Sequence, residues 1–245
     1  MPQVFVVSES DVEGRQKEGD TALEKVIMGS ATGSRLLEQR VTRYGLGRSL
    51  PRGESERDEL LYAVSGSGTL ELEGDPHDLE AESGAYVRAG ETYVVENPGP
   101  DELLIVSTTV PVEQVYRSPR QVIVRFADRP ELRADAKRTF RYLVNQDAGC
   151  MDATQFVGIV EPCRAPDHSH TYDEVGYIVA GEGFAHIDGE SLRLRPGSCF
   201  HLPPEQVHCI ENTGPGVMRI LGVFHPSGDP ASRAYEDDSQ LIPAS

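Results

Sequence analysis

Lysine, paired cysteines and long apolar runs are what this 245-residue chain has little of. Beyond residue 120 the only lysine is Lys137, which leaves no context for Schiff-base chemistry. No CxxC pair exists; Cys150, Cys163, Cys199 and Cys209 stand apart in the second half. A zinc-finger or thioredoxin-like reading therefore has no support, and the four are read as reduced thiols. The N-terminal run Val4-Phe5-Val6-Val7 is too short for a signal-peptide core or a membrane span, so a cytoplasmic location is expected. No Ser-His-Asp order is identifiable either.

Positive charge is also scarce. The formal net charge is -17, with -10 on residues 1–120 and -7 on the rest. A phosphate backbone or an anionic lipid surface would be repelled, which excludes nucleic-acid and membrane partners. The acidity is spread along the chain and reads as a solvated surface. At 38% hydrophobic and 26% charged residues the composition is that of a globular protein able to build one large or two small cores.

Helical periodicity is weak. Leu23 to Ser30 and Glu131 to Arg138 are the best helix candidates. Strand signals dominate, in short segments rich in Val, Leu, Tyr and Thr such as Arg35 to Tyr44, Glu59 to Val64, Glu174 to Ala180 and Val217 to Phe224. Gly, Pro and Asn punctuate them at near-regular spacing, which predicts an all-β fold of antiparallel sandwiches or barrels.

An internal repeat organises these strands. Glu59-Leu60-Leu61-Tyr62-Ala63-Val64-Ser65-Gly66-Ser67-Gly68 matches Glu174-Val175-Gly176-Tyr177-Ile178-Val179-Ala180-Gly181-Glu182-Gly183 at an offset of 115, which also brings Asn97 onto Asn212. Two tandem copies of one barrel are expected, residues 1–120 and 121–245, joined between Val112 and Asp135. The run from Pro226 to Ser245 reads as a tail.

Six of the seven histidines lie in the second copy. His168, His170 and Glu174 are two and four residues apart, so on an extended chain they share a face. With His208 they make a mixed nitrogen and oxygen donor set for one divalent transition metal: Fe, Mn, Ni, Co, Cu or Zn. The offset places Gly53, Ser55, Glu59 and Tyr93 at the corresponding positions, so the first copy is expected to bind no metal. Its acidic loop Glu54, Glu56, Asp58 and Glu59 is expected to face water. Cys209, beside His208, is expected to point away from the metal.

These residues resemble the two signature motifs of the cupin superfamily. Pro166, His168, His170, Glu174 and Gly181 fit the first; Gly197, Pro203, His208 and Asn212 fit the second, with Glu205 where the family has a turn glycine. Because both halves take part, the chain is similar to a bicupin. The resemblance implies two jelly-roll (double-stranded β-helix) barrels, with metal in the second held by His168, His170, Glu174 and His208, and association as a homodimer.

Strand parity adds a pocket. Gly176 and Ile178 share the face of Glu174; Gln206 and Ile210 share that of His208; Gln155 and Phe156 enter the motif, only one of them pointing inward. Tyr172 and Asp173 read as loop residues first, with a place behind the metal ligands as the alternative. Such an apolar pocket around one ion suits a small organic acid, a diketone or a phenolic substrate. The leading functional expectation is an Fe(II)-type dioxygenase. The alternatives are a non-redox Mn, Ni or Zn cupin enzyme (a ureidoglycine aminohydrolase-like hydrolase, an isomerase or a decarboxylase) and a metal-dependent binding protein without turnover.

Overall fold

The computed structural model describes residues 5–113, 119–232 and 235–236. Every strand pairing in it is antiparallel, and among the described residues helix is confined to four short 3-10 turns. Each half forms a large sheet facing a smaller one. The first large sheet runs in the order Ile123–Arg125, Ser83–Val87, Arg57–Ser65, Leu103–Pro111, Glu38–Tyr44, Ala22–Met28, Arg15–Gln16. The second repeats it as Val6–Ser8, Ser198–Leu202, Asp173–Ala180, Met218–His225, Thr154–Val160, Arg138–Tyr142, Leu132–Arg133. Two edge strands cross the sequence division near residue 120. Val6 pairs with Phe200 in the second sheet, and Ile123 pairs with Ala85 in the first.

The central strands are apolar along their whole length because both of their faces are covered. In Arg57–Ser65, Leu61 and Ala63 point into the first barrel, with Leu70, Val95 and Ile105. Leu60 and Tyr62 point the other way and meet Val157, Val175, Leu221 and Val223 of the second half in one shared core. The large sheets are thus packed face to face, and each fully buried Leu or Val there contributes roughly 1.5–3 kcal/mol. The second barrel holds its own interior of Ile178, Ala185, Phe200 and Ile220. Beside it lies an aromatic group of Phe140, Phe156, Tyr172 and Phe224.

The repeat is visible atom by atom. Asn97 Nδ2 donates to the carbonyls of Tyr44 and Asp101, and Asn212 Nδ2 donates to those of Val160 and Gly216. Each asparagine also accepts from the glycine N–H two residues on. A Cβ on Gly68 would lie 2.4 Å from the Glu96 carbonyl, and one on Gly183 would lie 1.8 Å from that of Glu211. Only glycine permits either approach.

Neither expected helix forms. Leu23 to Ser30 falls mostly in the strand Ala22–Met28, where Lys25 pairs with Val41. Glu131 to Arg138 is the turn of a hairpin between Leu132–Arg133 and Arg138–Tyr142. In both places a neighbouring strand offered a ladder that outweighed local preference. The acidic loop is also only half solvated: Asp58 is 5% and Glu59 3% exposed, Asp58 accepting from Tyr86 Oη at 2.5 Å and from the Ala89 N–H. Of the C-terminal tail, residues 226–232 and Tyr235–Glu236 are described, the latter pairing with His168–Ser169; residues 233–234 and 237–245 lie outside the described residues.

Candidate metal centre

His168 begins a two-residue strand whose ladder partner is His208 itself, so pairing alone brings two imidazoles side by side. Their ring centroids are 4.4 Å apart, and His170 lies 4.9 Å from His168 and 5.4 Å from His208. One ring nitrogen from each of the three falls within 4.8 Å of the others. Glu174 is set back from this trio, its Oε2 3.9 Å from His170 Nε2. All four side chains are buried, with residue exposures of 3–7%.

The outer nitrogens fix how the inner ones present themselves. His168 Nδ1 is 2.9 Å from the Pro166 carbonyl, and His208 Nδ1 is 2.9 Å from that of Gln206. A carbonyl only accepts, so each Nδ1 carries the proton and each Nε2 keeps a bare lone pair. His170 Nδ1 meets the Ser232 carbonyl at 3.0 Å and Tyr172 Oη at 2.9 Å. Because Tyr172 Oη donates to the Asp229 carbonyl, it accepts from His170, which therefore has the same tautomer. Outer-shell carbonyls of this kind are what orient imidazoles toward a metal.

Electrostatics agree. Burial, reinforced by the charge of His208, pushes His168 down to about 2, and burial pushes His208 down to about 4. The Arg138 guanidinium, held by Asp135 at 2.5 Å, adds to both depressions. Glu174 moves the other way, to about 8, through burial and then the charge of Asp173. Among the described residues no donor hydrogen-bonds the Glu174 carboxylate, while the neighbouring Nε2 atoms have no proton to give. Three buried imidazoles with unprotonated nitrogens facing one another, and a carboxyl group beside them, are a donor set that suits a divalent cation.

Of the sequence-derived pocket residues, Phe156 points inward, its ring 4.7 Å from Phe224, which is in turn 5.8 Å from His170. Gln155 faces away, its Nε2 donating to the Leu61 carbonyl across the inter-barrel core at 3.3 Å. Gly176 leaves no open space: a Cβ there would lie 2.1 Å from the Phe200 ring, which fills the gap. Ile178 and Ile210 pack into the barrel interior with that ring. Gln206 is turned to the surface, donating to Asp188 Oδ1 at 2.9 Å, and serves the site only through its backbone carbonyl. A cavity of about 440 Å³ opens beside His208, lined by Arg164, His186 and Val207 among others.

Two residues read as loop are part of the site's support. Tyr172 stacks on both His170 and Phe224, at 4.7 and 4.1 Å, and Asp173 pairs with the buried His201 at 2.6 Å. Their place between His170 and Glu174 was the available signal. Arg138 was not singled out, because nothing in sequence brings it to residues thirty and seventy positions away. Cys209 is fully buried and its Sγ accepts from Arg164 Nε at 3.4 Å. Glu205 adopts the left-handed conformation itself (φ 65°), so the turn survives without the glycine.

Residues 157–224 match the cupin domain family. An uncharacterised protein of Methanocaldococcus jannaschii is 35% identical over 60 residues, which is 24% of this chain and 48% of that protein. One from Aquifex aeolicus is 26% identical over 76 residues, 31% of this chain and 62% of that one. The chain thus spans about half to three fifths of the curated relatives it matches. Among solved structures, a single-site variant of Bacillus subtilis oxalate decarboxylase superposes with a TM-score of 0.76 at 12% identity, covering 94% of this chain and 79% of that one. A structure of the same enzyme at pH 4.6 gives 0.77 at 13%, covering 94% and 78%, and one reported for its Mn(II) centres gives 0.77 at 12%, covering 94% and 79%. Residues 157–224 thus match a cupin domain, and along nearly the whole chain the fold is that of the oxalate decarboxylase structures.

Proposed function

We propose that this protein is a metal-dependent enzyme acting on a small organic acid, its metal held in the second barrel by His168, His170, His208 and Glu174. The observation that carries the reading is the trio of buried imidazoles, one ring nitrogen of each within 4.8 Å of the others and each ring fixed by a backbone carbonyl behind it, with the buried Glu174 carboxyl 3.9 Å from His170. A divalent ion held there would act as a Lewis acid on a substrate oxygen and, as Mn or Fe, could exchange electrons. The chain's own residues supply the rest. Phe156, Phe224 and Tyr172 form an aromatic wall that keeps water from one side. Arg138, with its side chain only 13% exposed, supplies the positive charge that draws a carboxylate inward.

Decarboxylation is favoured by the fold neighbours, which are oxalate decarboxylases, one of them described by its Mn(II) centres. An Fe(II)-type dioxygenase is the second reading, since four protein ligands of this kind leave positions open on an ion that takes more than four. The discriminating experiment is metal analysis of the purified protein, followed by incubation of Mn(II)- and Fe(II)-loaded samples with oxalate and a panel of diketones. CO₂ release without net O₂ uptake identifies the decarboxylase, and stoichiometric O₂ uptake the dioxygenase. No bound or bindable metal in the wild type would refute both.

A further inference from the structure

Past Met218–His225 the chain does not leave the second barrel; it crosses from one of its sheets to the other. Met218–His225 is the central strand of the large sheet, whereas Tyr235–Glu236 is the edge strand of the smaller one, beside His168–Ser169. Residues 226–232 therefore span the gap between the sheets at the end of the barrel where the imidazoles sit. Of the four ligand candidates, the cavity of about 440 Å³ in this barrel reaches only His208. The cavity of about 490 Å³ in the first barrel reaches three of the four equivalent positions, Gly53, Glu59 and Tyr93.

The crossing is tied down along its length. Ser227 Oγ lies 2.7 Å from Thr154 Oγ1, to which the Gly228 N–H also donates, at 3.2 Å. Gly228 rests on the Tyr172 ring, so closely that a Cβ there would come within 2.4 Å of it. Tyr172 Oη donates to the Asp229 carbonyl at 3.0 Å, and Ala231 packs against the aromatic group. The Ser232 carbonyl accepts from His170 Nδ1 at 3.0 Å, and Tyr235 and Glu236 pair with Ser169 and His168. The tie at Ser232 reports on the other side of the same ring. With Nε2 engaged by a cation, the His170 N–H becomes a charge-assisted and therefore stronger donor to that carbonyl.

From this sheet-to-sheet crossing and its ties we infer, on the basis of the metal centre proposed above, that residues 226–236 are a strap over the mouth of the second barrel whose closure is coupled to metal occupancy. Metal binding at His170 Nε2 tightens the Ser232 tie and holds the strap shut. A small acid reaches the centre, and the ion leaves it, when the strap lifts.

Hydrogen–deuterium exchange of the full-length protein, read in peptides covering 226–236, tests the coupling, with the EPR signal of free Mn(II) reporting binding in the same samples. Saturating Mn(II) is expected to slow exchange there about tenfold, the difference between a neutral and a charge-assisted hydrogen bond. Thr154→Val removes both ties at the start of the strap and touches no ligand; it is expected to speed exchange in the segment, and loss of Mn(II) to excess EDTA, about tenfold. Ser227→Ala, at an exposed position where folding is not at stake, removes one of those ties and is expected to act in the same direction by a smaller factor. Mn(II) binding that leaves exchange in 226–236 unchanged would overturn the coupling. Loss rates equal to wild type in both variants would mean that the ion leaves through the cavity beside His208, and would overturn the strap as the gate. Failure to bind Mn(II), seen directly in the free-ion signal, would overturn the metal centre and the strap together.

Discussion

Adding Mn(II) to the metal-free protein at pH 7 is expected to release close to one proton, and that proton comes from Glu174. With its carboxyl raised to about 8, the group is about nine-tenths protonated at pH 7, and coordination must ionise it. His168 and His208, pushed to about 2 and about 4, are already neutral and contribute nothing. Release is therefore about 0.9 proton at pH 7 and about 0.5 at pH 8, and Mn(II) affinity falls roughly fiftyfold from pH 8 to pH 6. Calorimetric titrations in PIPES and Tris, whose ionisation enthalpies differ, read the proton count directly. Glu174→Gln is expected to abolish both the release and the pH slope. Release of two or more protons at pH 6 would mean that the histidines are charged in the metal-free state, and would refute the reasoning.

Three further outcomes follow from other parts of the structure. Tyr172→Phe removes the acceptor behind His170 Nδ1 and leaves only the Ser232 carbonyl; Mn(II) affinity is expected to drop about tenfold with little change in melting temperature. Leu221→Ala, in the core shared by the two large sheets, is expected to cost about 2–5 kcal/mol by chemical denaturation. Because that core belongs to both barrels, they are expected to unfold in one transition, and two resolved transitions would contradict the packing. For the metal-free site, folded-state depression of His168 and His208 favours folding above about pH 6.5 and is lost as pH falls, whereas elevation of Glu174 favours folding below about 4.5 and is lost as pH rises toward 8. The site's contribution to metal-free stability should therefore peak near pH 6.5, with Glu174→Gln removing the decline above it in a series of melting curves.

The barrels, the repeat and the trio of histidines were legible in sequence because each has a short-range signature. Period-two spacing puts His168 and His170 on one face, and the offset of 115 aligns Asn97 with Asn212, whose hydrogen bonds prove equivalent. What could not be read there depends on registers between distant strands. Gln155 and Phe156 were equivalent candidates until the shared core showed which face of Thr154–Val160 lies inside. Gly176 suggested room, but the ring that fills it belongs to Phe200, on a neighbouring strand. Leu23 to Ser30 carries no local mark that would tell a strand from a helix; its pairing with Glu38–Tyr44 decides the matter. Arg138 and the Ser232 carbonyl reach the site only through tertiary placement.

The exchanged edge strands carry a consequence for how such a duplicated chain ages. With Val6–Ser8 sealing the sheet of the second barrel and Ile123–Arg125 that of the first, neither half is complete without chain that flanks the other. A second barrel cut free at residue 120 would expose the open edge of Ser198–Leu202, an invitation to pair with other molecules. The first barrel is thus retained by architecture whatever becomes of its ligands.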